Sequence, residues 1–269
     1  MILLSRGSPE TCLSADEVRE ILFGCFSRLG RKKRVLAVPP DFTRFHSFSG
    51  MLTEMAWDYY GKRLTDVLPA TGMHRPMTDR EIKTMFGKVP EHLFRVHDCR
   101  RGLTALGEVP ASYVREASEG RVDYAVPVQV DGLIASGQFD LILSIGQVVP
   151  HEVIGMAGYS KNILIGAGGI DAVNRTHFLG AVCGMERIMG KAETPVRRVL
   201  DYASEKFTRQ LPIMHILTVV GENSRGRLCI KGLFIGDEPE CFKRAAALSQ
   251  AVNIRLLDAP LKKVVVYLD

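Results

Sequence analysis

The chain has 269 residues, 46% of them hydrophobic and 24% charged, with a net charge of +5. That length can bury a large core, and the balance is that of a soluble globular protein, which excludes disordered and fibrous classes. The charge is too mild to single out nucleic acid: Arg31-Lys32-Lys33-Arg34 and Lys262-Lys263 each precede an apolar run and read as solvated turns, and small anionic substrates suit it equally.

Six cysteines are scattered without CxxC or metal-knuckle spacing, as buried free thiols of a reducing compartment are. The apolar part of MILLSRGSPE is too short for a signal peptide, and no run reaches transmembrane length. A cytoplasmic protein with no nucleic-acid or membrane partner is expected.

Ser14 and Glu17 form a capping box, and Val18, Ile21, Leu22, Cys25 and Phe26 recur at helical spacing up to Gly30, which predicts a first helix. Val35–Val38 reads as a buried strand ended by Pro39-Pro40. A loop from Asp41 to Gly50 and a helix from Met51 to Gly61 follow. Thr65–Pro69 reads as a second strand leading into the polar loop Thr71–Pro76, and Thr78 with Glu81 caps a helix closed by Gly87. Arg95–Asp98 is expected as a third strand. Tyr124, Val126, Val128 and Val130 alternate as in a strand with one exposed face, ended by the turn Asp131-Gly132.

The apolar run Leu141–Ile145, followed by Gly146, reads as a buried parallel strand. Helices are expected over Phe178–Met189, Pro195–Phe207 and Glu238–Val252. Strands are expected over Ile213–Val220, Cys229–Ile235 and the terminal run Lys263–Asp269. This alternation predicts an α/β fold with a mostly parallel sheet flanked by helices.

Three strand exits carry the reactive side chains. The first offers Asp41, Thr43 and Arg44, the second His74 and Arg75, and the third His151, Lys161 and His177. In an open α/β sheet such exits share one edge, where residues distant in sequence converge. Arginine grips carboxylate or phosphate in bidentate fashion, a histidine pair can exchange a proton across a substrate, and a lysine among glycines can bind phosphate or react covalently.

Plainer readings stand beside these: Asp41 as a cap, Lys161 as an exposed loop lysine, and Gly166, Gly168 and Gly169 as a tight turn. His46, His92, His97 and His215 read as surface or satisfied core residues. Neither GxGxxG nor GxxxxGK[ST] is present. The residues by themselves support an anion-binding α/β enzyme site.

Four motifs in order resemble the nickel-pincer nucleotide-dependent lactate racemase family. They are Asp41-Phe42-Thr43-Arg44, Thr71-Gly72-Met73-His74-Arg75-Pro76, Pro150-His151, and Lys161 followed by His177. The resemblance runs from about Val35 to Asp269 and implies the amino-terminal catalytic domain of a two-domain family. On it, Lys161 carries the nickel-pincer nucleotide covalently through a thioamide, and His177 is the protein ligand to nickel.

His74 and His151 are then the acid/base pair. One removes the hydroxyl proton while the C2 hydride leaves, giving a transient 2-keto acid, and hydride return to the other face inverts C2. Which histidine serves which enantiomer stays open. Asp41, Thr43 and Arg44 are implied in cofactor binding, and Arg44 and Arg75 in holding the substrate. Cofactor-biosynthesis and nickel-insertion proteins are implied partners. The implied activity is a racemase or epimerase acting on a 2-hydroxy acid.

Three departures from the family pattern bear on the substrate. Gly158-Tyr159-Ser160 stands before the lysine, Val149 stands where an acidic residue is usual, and Met73 is inserted in the second loop. They shift the expectation from lactate toward a larger hydroxy or sugar acid. The family's carboxyl-terminal domain reads as missing, with residues 260–269 as the start of a truncated second domain. Two other readings remain at this stage: a zinc hydrolase ligated by His74, His151 and His177, and a non-catalytic cofactor- or anion-binding domain.

Overall fold

The structure, a computed structural model, describes residues 1–259, 261 and 263–266. Among the described residues ten strands and eight α-helices follow in chain order. The first half holds β1 (Ile2–Gly7), α1 (Ala15–Arg28), β2 (Val35–Val38), α2 (Ser49–Tyr60), β3 (Leu64–Val67), α3 (Asp79–Phe86), β4 (Leu103–Val109), α4 (Ala111–Ala117) and β5 (Val126–Asp131). The second holds β6 (Leu141–Gln147), β7 (Pro150–His151), β8 (Gly155–Met156), α5 (Ile170–Cys183), α6 (Met185–Ile188), α7 (Pro195–Ala203), β9 (Ile213–Glu222), β10 (Leu228–Gly236) and α8 (Pro239–Asn253).

Six strands form the central sheet in the order β1-β10-β9-β6-β2-β3. The β3–β2, β2–β6 and β6–β9 pairs are parallel, while β10 runs antiparallel to β9 and β1. The expected mostly parallel α/β fold is therefore the observed one. Every residue of β2 is buried because helices cover both faces. Val35 and Ala37 face a core shared with α1, α2 and α3, while Leu36 and Val38 face one shared with α4, α5 and α7. Helix α8 covers the β9–β10 end through Phe242, Ala245 and Ala246.

The helix starts follow local chemistry. Ser14 accepts the Glu17 amide while the Glu17 carboxylate accepts the Ser14 amide at 2.9 Å, and Thr78 with Glu81 repeats the arrangement on α3. Thr194 caps α7 by accepting the Arg197 amide at 3.0 Å, with Pro195 in the first turn.

Several expectations need correcting. Arg95–Asp98 is not a strand: only Phe94 bridges Val67, after which the chain turns inward to bury His97. Strand β4 pairs antiparallel with β5 in a separate ribbon, and its half-exposed, glycine-containing run carries no clear period. The helix expected at Phe178 starts at Ile170, capped by Gly169, and it breaks at Gly184, whose φ is +85°. The loop from Asp41 is a 3₁₀ turn over Phe42–Ser47. Lys263–Val266 forms no strand and its valines are exposed, while residues 267–269 of that expected strand lie outside the described residues. Among the described residues no helix is long and apolar enough to cross a membrane.

Candidate active site

Strands β3, β2 and β6 are parallel neighbours, so their carboxyl ends open on one edge of the sheet. There a cavity of about 220 Å³ gathers Asp41, Thr43 and Arg44 from the turn after β2, and Thr71 to His74 from the loop after β3. His151 and Glu152 enter after β6, Lys161 comes from the glycine-lysine segment, and His177 reaches in from α5. The structure thus brings together every expected site residue except Arg75. The Arg75 side chain points away from the cavity and forms a bidentate ion pair with Glu81 at 2.7 and 3.0 Å.

The segment around Lys161 is fastened to the sheet from three sides. Asn162, the first residue of a π-helical turn through Gly166, donates its Nδ2 to the Val38 carbonyl at 2.8 Å and to Ser144 Oγ at 3.2 Å. Those bonds tie it to β2 and β6. The Gly72 amide donates to the Gly166 carbonyl at 2.7 Å, which docks the second loop on the glycine run. Buried His97 sits between Asp131, 2.9 Å from its Nδ1, and the Gly168 carbonyl, 3.1 Å from its Nε2, securing the far end. A Cβ on Gly168 would lie 2.0 Å from the Leu164 carbonyl oxygen, so the turn closes only without a side chain.

The three histidines differ in what their rings present. His74 donates from Nδ1 to Asp41 Oδ2 at 2.6 Å, which leaves its Nε2 lone pair free as an acceptor. Asp41 is both a cap and an orienter, since its other oxygen accepts the Thr43 amide and hydroxyl. His151 accepts the Val153 amide at Nδ1, 3.2 Å away, so its Nε2 carries the proton. Burial pushes the His151 ring down to about 4, helped by nearby Lys161 and Arg44 and opposed by Glu152, and it stands neutral at physiological pH. His177 donates from Nδ1 to the Val173 carbonyl one helical turn back, at 2.7 Å. That leaves Nε2 free, with the ring oriented by a backbone carbonyl as metal-ligating imidazoles commonly are. Burial lowers its affinity for a proton as well, which favours the neutral, ligating form.

Lys161 is half-buried, and desolvation followed by the charges of Arg44 and Arg197 brings its amine from 10.5 down to about 8. About a tenth of such an amine is neutral at pH 7, hundreds of times more than for an ordinary lysine, which makes it a competent nucleophile. Glu152, Asn162 and Thr71 line the cavity with polar groups to which sequence reasoning assigns no role. Glu152 shows as a carboxylate beside a candidate histidine, Asn162 as an amide beside the lysine, and Thr71 as the first residue of the second motif. Thr71 Oγ1 is buried on the cavity wall without a hydrogen-bond partner among the described residues, so it is open to a ligand's polar atom.

The chemistry available is therefore anion binding by Arg44, amine attack by Lys161, single-histidine metal ligation by His177, and proton exchange between His74 and His151. Among the described residues no three His, Cys, Asp or Glu side chains come together as a metal-ligand set. A metal here would draw its remaining ligands from a bound organic group, and the free His177 Nε2, the reactive Lys161 and the unpartnered Thr71 hydroxyl fit such a group.

Residues 26–189 match the model of the lactate racemase N-terminal domain. The chain is 28% identical over 163 residues to a lactate racemase from Thermoanaerobacterium thermosaccharolyticum, a match that covers 59% of this chain and 34% of that relative. A crystal structure of a Thermotoga maritima protein superposes with a TM-score of 0.83 at 25% identity, over 96% of this chain and 63% of the other. The lactate racemase apoprotein from T. thermosaccharolyticum shares the fold, with a TM-score of 0.65 at 20% identity over 93% and 57% of the two chains. The chain thus spans about a third of its curated relative's length and under two thirds of each solved structure. With the matched region running from the end of α1 to the end of α6, across all three loops of the cavity, the chain belongs to the lactate racemase N-terminal domain family.

Proposed function

We propose that this chain is the cofactor-bearing part of a racemase or epimerase that inverts C2 of a 2-hydroxy acid. The observation that carries the reading is one cavity holding a depressed lysine amine, a histidine with Nε2 free and a second pair of imidazoles of opposite hydrogen-bonding character. The fitting group is a nickel-pincer nucleotide, which when bound supplies the hydride acceptor. Lys161 would hold it through a thioamide, His177 would ligate nickel, and Thr43 and Arg44 would contact its polar parts. Imidazole is a suitable nickel ligand.

The chain's own residues then handle protons and orientation. Arg44 holds the substrate carboxylate. His74, held by Asp41, offers a lone pair to the substrate hydroxyl. His151 faces the substrate with an N–H and stays neutral, so it donates a hydrogen bond to oxygen in its resting form. Glu152 beside it accepts hydroxyl hydrogens, which suits a substrate bearing more than one hydroxyl, such as a sugar acid, better than lactate. A cytoplasmic, reducing setting and delivery of the cofactor by its biosynthetic and nickel-inserting proteins belong to the same reading.

Intact-protein mass and nickel analysis test it, with protein made in a host that synthesises the pincer nucleotide beside a Lys161→Ala control. A mass adduct with about one nickel per chain, absent from the control, is expected. Unmodified protein from a host proven competent overturns the reading.

A further inference from the structure

Among the described residues Arg197 is the largest fully buried side chain, and it lies behind the lysine-bearing segment, outside the cavity. Its Nη1 donates to Ser160 Oγ at 3.0 Å and its Nη2 to the Met156 carbonyl at 2.5 Å. The guanidinium carbon sits 4.3 Å from the centre of the Phe242 ring of α8. Tyr159, between the two gripped residues, holds a left-handed backbone with φ +58° and stacks on the same Phe242 ring at 5.6 Å. Gly158 before it has φ +86°, and a Cβ there would meet the Gln147 carbonyl at 2.9 Å. A left-handed tyrosine is costly and persists only where surrounding contacts hold it.

The charge of this arginine is poorly compensated. Its nearest carboxylate, Asp201, is 4.0 Å away and partly exposed, and Nε has no partner among the described residues. A buried cation so placed destabilises the fold relative to an apolar side chain of similar volume, so packing alone does not account for it.

We propose that Arg197 is a positioning residue for Lys161, its guanidinium fork gripping the Met156–Ser160 turn so that the lysine amine is presented to the cavity. The inference rests on the reading of Lys161 as the covalent anchor. The charge acts in the same direction as the grip. After burial, Arg44 and then Arg197 disfavour the Lys161 ammonium, against Asp41 and Glu152, while His151 and His177 face the same cavity. A neutral amine can attack an activated acyl or thioacyl carbon, forming the C–N bond, expelling the leaving group and losing its proton to solvent.

The test uses the full chain made without cofactor. Lys161 acylation by a water-soluble N-hydroxysuccinimide acetate is followed by peptide mass spectrometry from pH 6 to 10. Wild type is expected to show a midpoint near 8. In Arg197→Met the midpoint rises and the rate at pH 7.5 falls at least threefold, while Arg197→Lys, which keeps the charge without the fork, lies between. Circular dichroism confirms folding. If Arg197→Met does not fold, Ser160→Ala decides: it removes one acceptor of the fork and is expected to slow labelling in the same pH range. A profile identical to wild type in the folded variant overturns the proposal. Because no cofactor is present, failure of the anchor reading shows separately, as unmodified protein in the competent host.

Discussion

Replacing Lys161 by methionine is expected to stabilise the protein, even though it removes the residue proposed to hold the cofactor. The amine titrates at about 8 in the fold against 10.5 when exposed, so the folded state carries a charge that burial and two arginines oppose. Between those values the unfolded chain binds more protons than the native one, and stability therefore rises with pH across that window. By linkage the penalty is about 3 kcal/mol at pH 7, about 2 kcal/mol at pH 9 and about 1.4 kcal/mol at pH 9.5. Water reaching the half-buried side chain through the cavity makes these upper bounds. Urea denaturation of wild type and Lys161→Met at each pH measures the difference. The variant should be more stable at pH 7, and its advantage should shrink by more than half by pH 9.5. An advantage independent of pH, or a less stable variant at pH 7, refutes the reasoning.

Two further outcomes follow from the same site. Asn162→Ala orphans the Val38 carbonyl and the Ser144 hydroxyl in the core beside Lys161, and should lower unfolding stability by about 2–3 kcal/mol, read from urea melts at pH 7. His177→Ala leaves Lys161 untouched, so protein from a cofactor-making host should keep the organic adduct in its mass spectrum while losing nickel in metal analysis.

Those tests weigh a site whose parts differ in how far the amino-acid order reveals them. The capping boxes at Ser14 and Thr78, the buried runs of β2 and β6, and the amphipathic α7 are local signals, because cap hydrogen bonds and side-chain periodicity depend on neighbours within one or two turns. His74, His151, Lys161 and His177 were likewise visible as side chains at strand exits. Parallel strands send all such exits to one edge, so their convergence could be expected before the cavity was seen.

What only the tertiary structure decided are the partnerships made across long sequence separations. Arg75 shares a motif with His74 yet turns to Glu81, because a carboxylate on the next helix offers it a bidentate partner outside the cavity. The ring tautomers of His74, His151 and His177 follow from Asp41, the Val153 amide and the Val173 carbonyl, and Asp41 lies 33 positions from His74. Strand β4 carries no strong period because its ribbon is half exposed, so its pairing with β5 emerges only on folding. Arg197 reads in sequence as one more charged residue of an amphipathic helix. Its burial against Phe242 and its grip on Ser160 depend on how α7 and α8 pack around the lysine segment, an arrangement no local pattern encodes.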